Sequence, residues 1–268
     1  MRQPDKAFTL SELLVVIATL ALLSACLLPA WARTRSDAHR MDCADNLKQV
    51  GVAFRSWAND HNGLMPMSLS GAQGGSLAEV GTRTVSTTQS GSRGVFKVFL
   101  CLSNQLSAPR TLFCPAEYDL AYRQMATTFA GSVSAGTGGV PYTNDLNVSY
   151  FIGVDTSESR PRMLLVGDHN LGGNADPPNT AFLQAPNIGL PFVSLGTNFY
   201  SIYGPAFMNN MHGKQGNVGL GDGSVDWFGR TNLQIALKLS GDTGRPAGNF
   251  VLAPGSTAGG GCNRIQLP

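Results

Sequence analysis

From Phe8 to Ala32 the chain carries a single charged side chain, Glu12, and every other residue in that stretch is apolar, small or hydroxyl-bearing. About 20 residues at 1.5 Å each give a helix of roughly 30 Å, the thickness of a bilayer's hydrocarbon core. A secretory signal peptide would have a shorter apolar region, with a small-x-small cleavage site at its far end. A charge held in mid-bilayer costs about 2.5–3.5 kcal/mol on insertion scales, so an acid inside such a run is read as functional. A short polar leader, residues 1–7, precedes the run.

Cleavage between Ala7 and Phe8 would create an α-amine one helical turn from Glu12. An α-amine ordinarily titrates near pH 8, so it is largely protonated at neutrality and can neutralise the carboxylate. It can do so within one chain or towards a neighbouring subunit, where it would set the axial stagger of a filament. An uncleaved anchor with Glu12 at headgroup depth is the plainer alternative.

Phe8, Thr9, Leu10 and Glu12 follow a small residue and open an apolar helix. In this the chain resembles the type IV pilin and type II secretion pseudopilin family, whose signature is a small residue, then Phe-Thr-Leu-x-Glu. Pro29 falls where many members carry a helix-kinking proline. The resemblance implies that Ala7–Phe8 is the prepilin peptidase bond, that Phe8 becomes N-methylated, and that Phe8 and Glu12 govern assembly. It departs at Ala7, where the family usually has Gly. Arg2 and Lys6 precede the span and Arg33, Arg35 and Arg40 follow it, so flanking charge does not set the orientation. The resemblance implies a cytoplasmic leader, an inner-membrane helix and a domain exported to the periplasm.

Beyond the run, Cys43, Leu47, Val50, Phe54 and Trp57 are spaced 4, 3, 4 and 3 apart, one stripe on a helix. The expected division is a leader at 1–7, a transmembrane helix at 8–32, an amphipathic continuation at 33–60 and a globular domain at 61–268. The run Asn59-Asp60-His61-Asn62-Gly63 supplies the stop, with Gly63 a left-handed cap. The stripe needs an apolar partner, and a sheet fits better than a free coiled-coil stalk of fewer than three heptads. Glycines number 32 and prolines 15, which favours turns and loops over a helical bundle. The expected fold class is α+β: a long N-terminal helix packed on a mainly antiparallel sheet with long loops.

Residues 95–100 read as a strand or a short helix, and 110–115 as a strand closed by Pro115. Residues 148–153 and 162–167 are the two clearest strands. The segments 71–94, 131–139 and 170–200 read as loops, and the tail beyond Gly241 as irregular. Asp222-Gly223, between Val218/Leu220 and Val225/Trp227, predicts a hairpin with a type I′ turn, and Trp227-Phe228 are expected to fill its inner face. His212, nine residues, then Asp222-Gly223 resemble the H-x9-DG signature that accompanies prepilin-like N-termini in one large pseudopilin-type family. Cys43 before Asn46-Leu47-Lys48, Cys114-Pro115, and Gly167-Asp168 also look like that family, which makes Cys43, Cys114, Asp168, His212, Asp222 and Gly223 its motif residues here.

Charged residues are 13% of the chain and net charge is +2, too little field to recruit nucleic acid. Five cysteines are present. Cys26 lies in the apolar run. Cys43, Cys101, Cys114 and Cys262 allow three pairings that spacing does not resolve, and they lack the close spacing of a zinc site. His212, Asp222, Asp168 and His169 invite a metal or acid–base reading, but turn and strand-end positions account for them. No G-x-S-x-G, H-E-x-x-H, P-loop or Rossmann pattern occurs, so no enzyme is expected and no cofactor is required. Calcium candidates are Asp222 and Asp226, with Asp242, Asp145 and Asp155 further afield, but no EF-hand-like loop surrounds them. Phe199, Tyr200, Tyr203 and Phe207 read as core rather than as a sugar- or partner-binding face. The expected role is that of a pseudopilin-like subunit, working with prepilin peptidase and other secretion-machine components. The alternatives are a non-polymerising, membrane-tethered module that binds glycan or envelope polymer, and behind it a tethered hydrolase using His212 and Asp222.

Overall fold

The computed structural model describes residues 9–78, 80, 94–118, 120–133, 138–173, 180–181, 192–197, 204–242, 250–252 and 263–268. Helix α1 spans Leu10–Asp60. The chain divides at this helix into two units, Met1–His39 and Arg40–Pro268, each taken by itself.

In the first unit Leu10–Leu27 has a mean hydropathy of 2.3 over 18 residues, none of them buried. This helix is long and apolar enough to cross a membrane. Thr9 is its N-cap: Thr9 Oγ1 accepts from Glu12 N at 3.3 Å, while Thr9 N and Oγ1 donate to Glu12 Oε2 at 2.9 and 2.7 Å. That reciprocal arrangement is a capping box, in which residue N3 satisfies an orphan donor at the helix start.

In the second unit the stripe is buried as its spacing predicts. Cys43, Leu47, Val50 and Phe54 are fully buried and Trp57 nearly so. They pack with Val95, Val98 and Phe99 of α2, Val95–Cys101, and with Tyr150, Ile152 and Val166 of the sheet. Phe54 and Phe99 meet edge to face at 6.0 Å between centroids, a favoured aromatic geometry. The stop at the end of α1 is also as expected. Gly63 has φ +76° and its N–H reaches back to Ala58 O at 2.8 Å, closing the last turn.

The larger sheet has the order β8-β7-β2-β1-β10-β5-β9, antiparallel throughout except between β5 and β9. Its strands are β1 (Tyr150–Gly153), β2 (Leu164–Asp168), β5 (Phe192–Ser194), β7 (Gly216–Leu220), β8 (Val225–Phe228), β9 (Phe250–Leu252) and β10 (Arg264–Gln266). A second sheet joins β3 (Leu171–Gly173), β4 (Thr180–Ala181) and β6 (Ala206–Phe207). Strand alternation puts Tyr150 and Ile152 in the α1 core and Phe151 in a second core. That second core contains Phe207, Val218, Phe228 and Ile265, together with Leu233 and Leu237 of α3, Arg230–Leu239. Both faces of the sheet are therefore covered. The fold is α+β with a mainly antiparallel sheet.

Several expectations are corrected. Residues 110–115 are not a strand: Pro109–Leu112 form a 3₁₀ turn with Pro at its start. Proline's fixed φ suits the first turn of a helix, and the buried run Thr111–Cys114 has no inside–outside alternation to hold a strand. Residues 95–100 resolve as helix, because Asp145 accepts from Gly94 N and Phe96 N at 3.0 and 2.7 Å and satisfies its start. The tail is not wholly irregular. β10 is a central strand with Ile265 and Gln266 fully buried, paired to β1 and β5. Three residues are too few to show a period, so distant pairing decides them. The segment 170–200 likewise contains β3, β4 and β5. Trp227 does not fill the inner face: it is 45% exposed while Phe228 is buried, because neighbours on a strand point to opposite sides. Arg40 covers its ring at 4.1 Å. The Asp222-Gly223 hairpin forms, but only Gly223 has positive φ, at +83°. Gly223 N donates to Leu220 O at 2.9 Å and Leu220 N to Ser224 O at 2.8 Å, a three-residue connection ending in a left-handed glycine rather than a type I′ turn.

Phe54 is the test of this packing. Phe54→Ala should lower the unfolding free energy of the full chain in detergent by about 3–5 kcal/mol in a denaturant titration. A loss below about 1 kcal/mol would show that the stripe does not face this core.

Candidate functional site

Two groups of side chains stand out, one at the start of the apolar helix and one buried in the second unit. At the first, Ala7 and Phe8 lie outside the described residues, and Glu12 is exposed and held by Thr9 as above. The Thr-x-x-Glu spacing of a capping box was readable in the sequence and gives Glu12 a local role in addition to any charge it presents.

The second group is assembled from four distant segments. Cys43 on α1 and Cys114, just past the 3₁₀ turn, form a disulfide across 71 residues with a Cα–Cα distance of 5.3 Å. His212 lies in the link between β6 and β7, where Gly213 and Lys214 both take φ of +65° and turn the chain. Its Nε2 is 3.3 Å from Cys114 Sγ and 3.5 Å from Asp168 Oδ2, at the end of β2. Asn217 on β7 fixes Asp168: its backbone N and its Nδ2 donate to Oδ2 at 2.7 and 3.3 Å, and Nδ2 also reaches Arg40 O at 3.3 Å. Cys43, Cys114, Asp168, His212 and Asn217 are all buried.

A second acid–histidine pair adjoins the first. His169 follows Asp168 and takes the other direction, with Nε2 2.9 Å from Glu117 Oε2. Ser149 Oγ donates to the same oxygen at 2.7 Å. The carboxylate thus stands between hydroxyl and imidazole, and Ser149 gives its proton to Glu117 rather than to His169. In an activated serine the imidazole would occupy that place.

The two acids titrate in opposite directions. Burial pushes Glu117 up, but His169, Ser149 and Arg123 outweigh it and hold the carboxyl at about 2. Burial dominates at Asp168. Asn217 lowers its pKa, the Glu117 charge raises it, and the carboxyl lies at about 7. At 3.5 Å the His212 contact is too long to offset this as a charge-assisted hydrogen bond. Asp168 Oδ1 has no hydrogen-bond partner.

The family-motif residues therefore separate. Cys43, Cys114, Asp168 and His212 converge. His169 pairs with Glu117, and Asp222 with Gly223 stands apart on an exposed turn. There Asp222 Oδ1 accepts from Ser224 N and Oγ at 2.8 and 2.6 Å, and these bonds lower its pKa. Asp222 O accepts from Arg55 of α1 at 2.7 Å, and Gly223 faces Gly51. The H-x9-DG residues thus flank the start and the tip of the β7–β8 hairpin: His212 sits beside Cys114, which the disulfide joins to α1, and Asp222 meets Arg55 of α1 at the surface. The outlying aspartates have partners of their own: Asp155 with Arg264, Asp145 with the start of α2, and Asp242 with Asn263 N at 2.8 Å. Asp226 is exposed on β8. Phe207 is core; Phe199, Tyr200, Tyr203 and Cys262 lie outside the described residues. Glu117 and Asn217 carried no sequence signal, since nothing local marks a residue whose partner lies 49 or 52 positions away.

Two surface clefts of about 460 Å³ each flank the second unit, one beside Asp155, Arg160 and Arg264, the other beside Asp45, Gln49 and Arg110. Neither is lined by the buried cluster. Compared with known protein families, with curated proteins and with solved structures, the chain matches none.

The paired acids predict a stability profile with two limbs. Glu117, depressed from 4.5, stabilises fully above pH 4.5, and this is lost as pH falls towards 2. Asp168, raised from 3.8, has no effect below 3.8, costs progressively more as pH rises, and exerts its full cost above 7. Displacements of this size are worth on the order of 3–4 kcal/mol each. Urea midpoints from pH 2 to 9 should lose their acid limb in Glu117→Gln and their decline between pH 4 and 7 in Asp168→Asn. Unchanged profiles in both variants would contradict the assignment.

Proposed function

We propose that this chain is a pseudopilin-like subunit of a type II secretion or type IV pilus-like system. It inserts in the inner membrane, is cleaved and N-methylated at Phe8 by a prepilin peptidase, and assembles with other pseudopilins through its N-terminal helix while its second unit lies on the periplasmic side. Its work is associative rather than catalytic. The observation that carries this reading is the placing of one carboxylate, Glu12, in the first turn of a helix whose opening stretch, Leu10–Leu27, is otherwise uncharged and nowhere buried. An acid there favours the helix N-terminus, and in lipid it seeks a cation. The Phe-Thr-Leu-x-Glu resemblance and the amphipathic continuation of the helix support the same conclusion.

A second reading rests on the capping box. Because Thr9 of the same chain already satisfies Glu12, a single-pass anchor carrying a periplasmic binding module for glycan or envelope polymer needs no neighbouring subunit.

Glu12→Gln separates the two, since glutamine keeps the cap and removes the charge. Membrane insertion should persist while helix–helix cross-linking in native membranes falls at least tenfold. Cross-linking at wild-type level in Glu12→Gln, or a mature N-terminus still at Met1 by mass spectrometry, would favour the anchored module.

A further inference from the structure

The convergence of Cys43, Cys114, Asp168 and His212 has chemical content that a structural disulfide alone does not use. One ligand atom from each lies within 4.8 Å of every other, and all four residues are buried. Tetrahedral zinc, with Zn–S of about 2.3 Å, Zn–N of about 2.0–2.1 Å and Zn–O of about 2.0–2.2 Å, spaces its donors roughly 3.3–3.8 Å apart. The His212 Nε2 contacts, 3.3 Å to Cys114 Sγ and 3.5 Å to Asp168 Oδ2, already fall in that range. The two sulfurs, bonded to each other, are too close for this, and opening them by about 1.5–2 Å on reduction brings them to that spacing. A buried carboxylate oxygen, Asp168 Oδ1, stands without a partner at this place. Asn217 donates two hydrogen bonds to Oδ2, the oxygen nearer His212, the kind of support that orients a metal-ligating carboxylate.

We propose that these four residues form a redox-gated zinc site: a disulfide when oxidised, a Cys₂-His-Asp zinc centre when reduced. A dithiol reductant gives two electrons and two protons to the Cys43–Cys114 bond and becomes a disulfide itself. Zn²⁺ then displaces the two thiol protons, together with the carboxyl proton of Asp168 where it is held, and takes both sulfurs, with neutral His212 and the Asp168 carboxylate as third and fourth ligands; the released protons go to solvent. The metal replaces one cross-link between α1 and the Cys114 segment by another, so the core stays fastened in either state. This inference is independent of whether the apolar helix assembles or merely anchors.

The test uses the full chain in detergent with Cys26, Cys101 and Cys262 changed to Ser, so that only the pair in question can respond. Zinc chloride is added to oxidised protein and to anaerobically reduced protein, excess metal is removed by gel filtration, and bound zinc is counted. Cobalt(II) supplies the spectrum, through thiolate charge-transfer and tetrahedral ligand-field bands. Reduced protein should retain one zinc per chain and oxidised protein less than a tenth of that. Asp168→Asn, whose amide oxygen can still accept from Asn217, should weaken binding by at least tenfold in the reduced form while the circular dichroism stays that of the parent, and Cys43→Ser should abolish the thiolate band. The proposal is overturned if oxidised protein binds as much zinc as reduced protein, or if reduced, folded protein retains none. It is equally overturned if reduction unfolds the domain and zinc fails to restore its circular dichroism, or if Asp168→Asn binds as tightly as the parent.

Discussion

The arrangement of the second unit depends on one apolar stripe. Cys43, Leu47, Val50, Phe54 and Trp57 lie along one side of α1, and no helix can hide that many large side chains by itself. They are covered by Tyr150, Ile152 and Val166 from the sheet and by Val95, Val98 and Phe99 from α2. Each such side chain taken out of water is worth about 1.5–3 kcal/mol, so the stripe outweighs any single polar contact near it. The sheet then has a second face to hide, and α3 covers it through Leu233 and Leu237.

Into this apolar seam the fold admits a limited set of polar groups, and it manages them by pairing. Glu117 is answered by His169 and Ser149, Asp168 by Asn217, and the two sulfurs by each other. Glu117 stays ionised because its donors are well aimed. Asp168 holds its proton up to neutrality because it is deeper and faces the Glu117 charge. Burial of polar groups is costly unless each finds a partner, so such pairs lock the relative register of α1, β2 and β7. His212 and Asp222-Gly223 act in the same sense. They set one hairpin beside the disulfide that reaches α1 and against Arg55 of α1, which gives the spacing between them a mechanical explanation.

What could be read from the residues was what local periodicity carries. The 4-3-4-3 stripe, the Gly63 stop, the two strands around 150 and 166, and the hairpin at Asp222-Gly223 all depend on neighbours within a turn or two. Where distant partners decide, reading failed. β10 is three residues long and acquires its strand character from β1 and β5, and Trp227 is turned outward by the pleat against a core that only the fold defines. α3 was missed although Leu233, Ala236 and Leu237 have helical spacing, because the run is short and flanked by glycines. The meeting of Cys43 with Cys114, and of His212 with Asp168, was unreadable in the same sense: three pairings fit the cysteines equally until the chain is folded.

The most direct test is therefore a covalent one. Digestion of the native protein under non-reducing conditions with thiols blocked, followed by mass spectrometry, should yield a peptide linking Cys43 to Cys114, separated only after reduction. That result places α1 against the Cys114 segment as the seam requires. A peptide joining Cys43 to Cys101 or Cys262 instead would put α1 on a different partner and contradict the account of both the core and the site built into it.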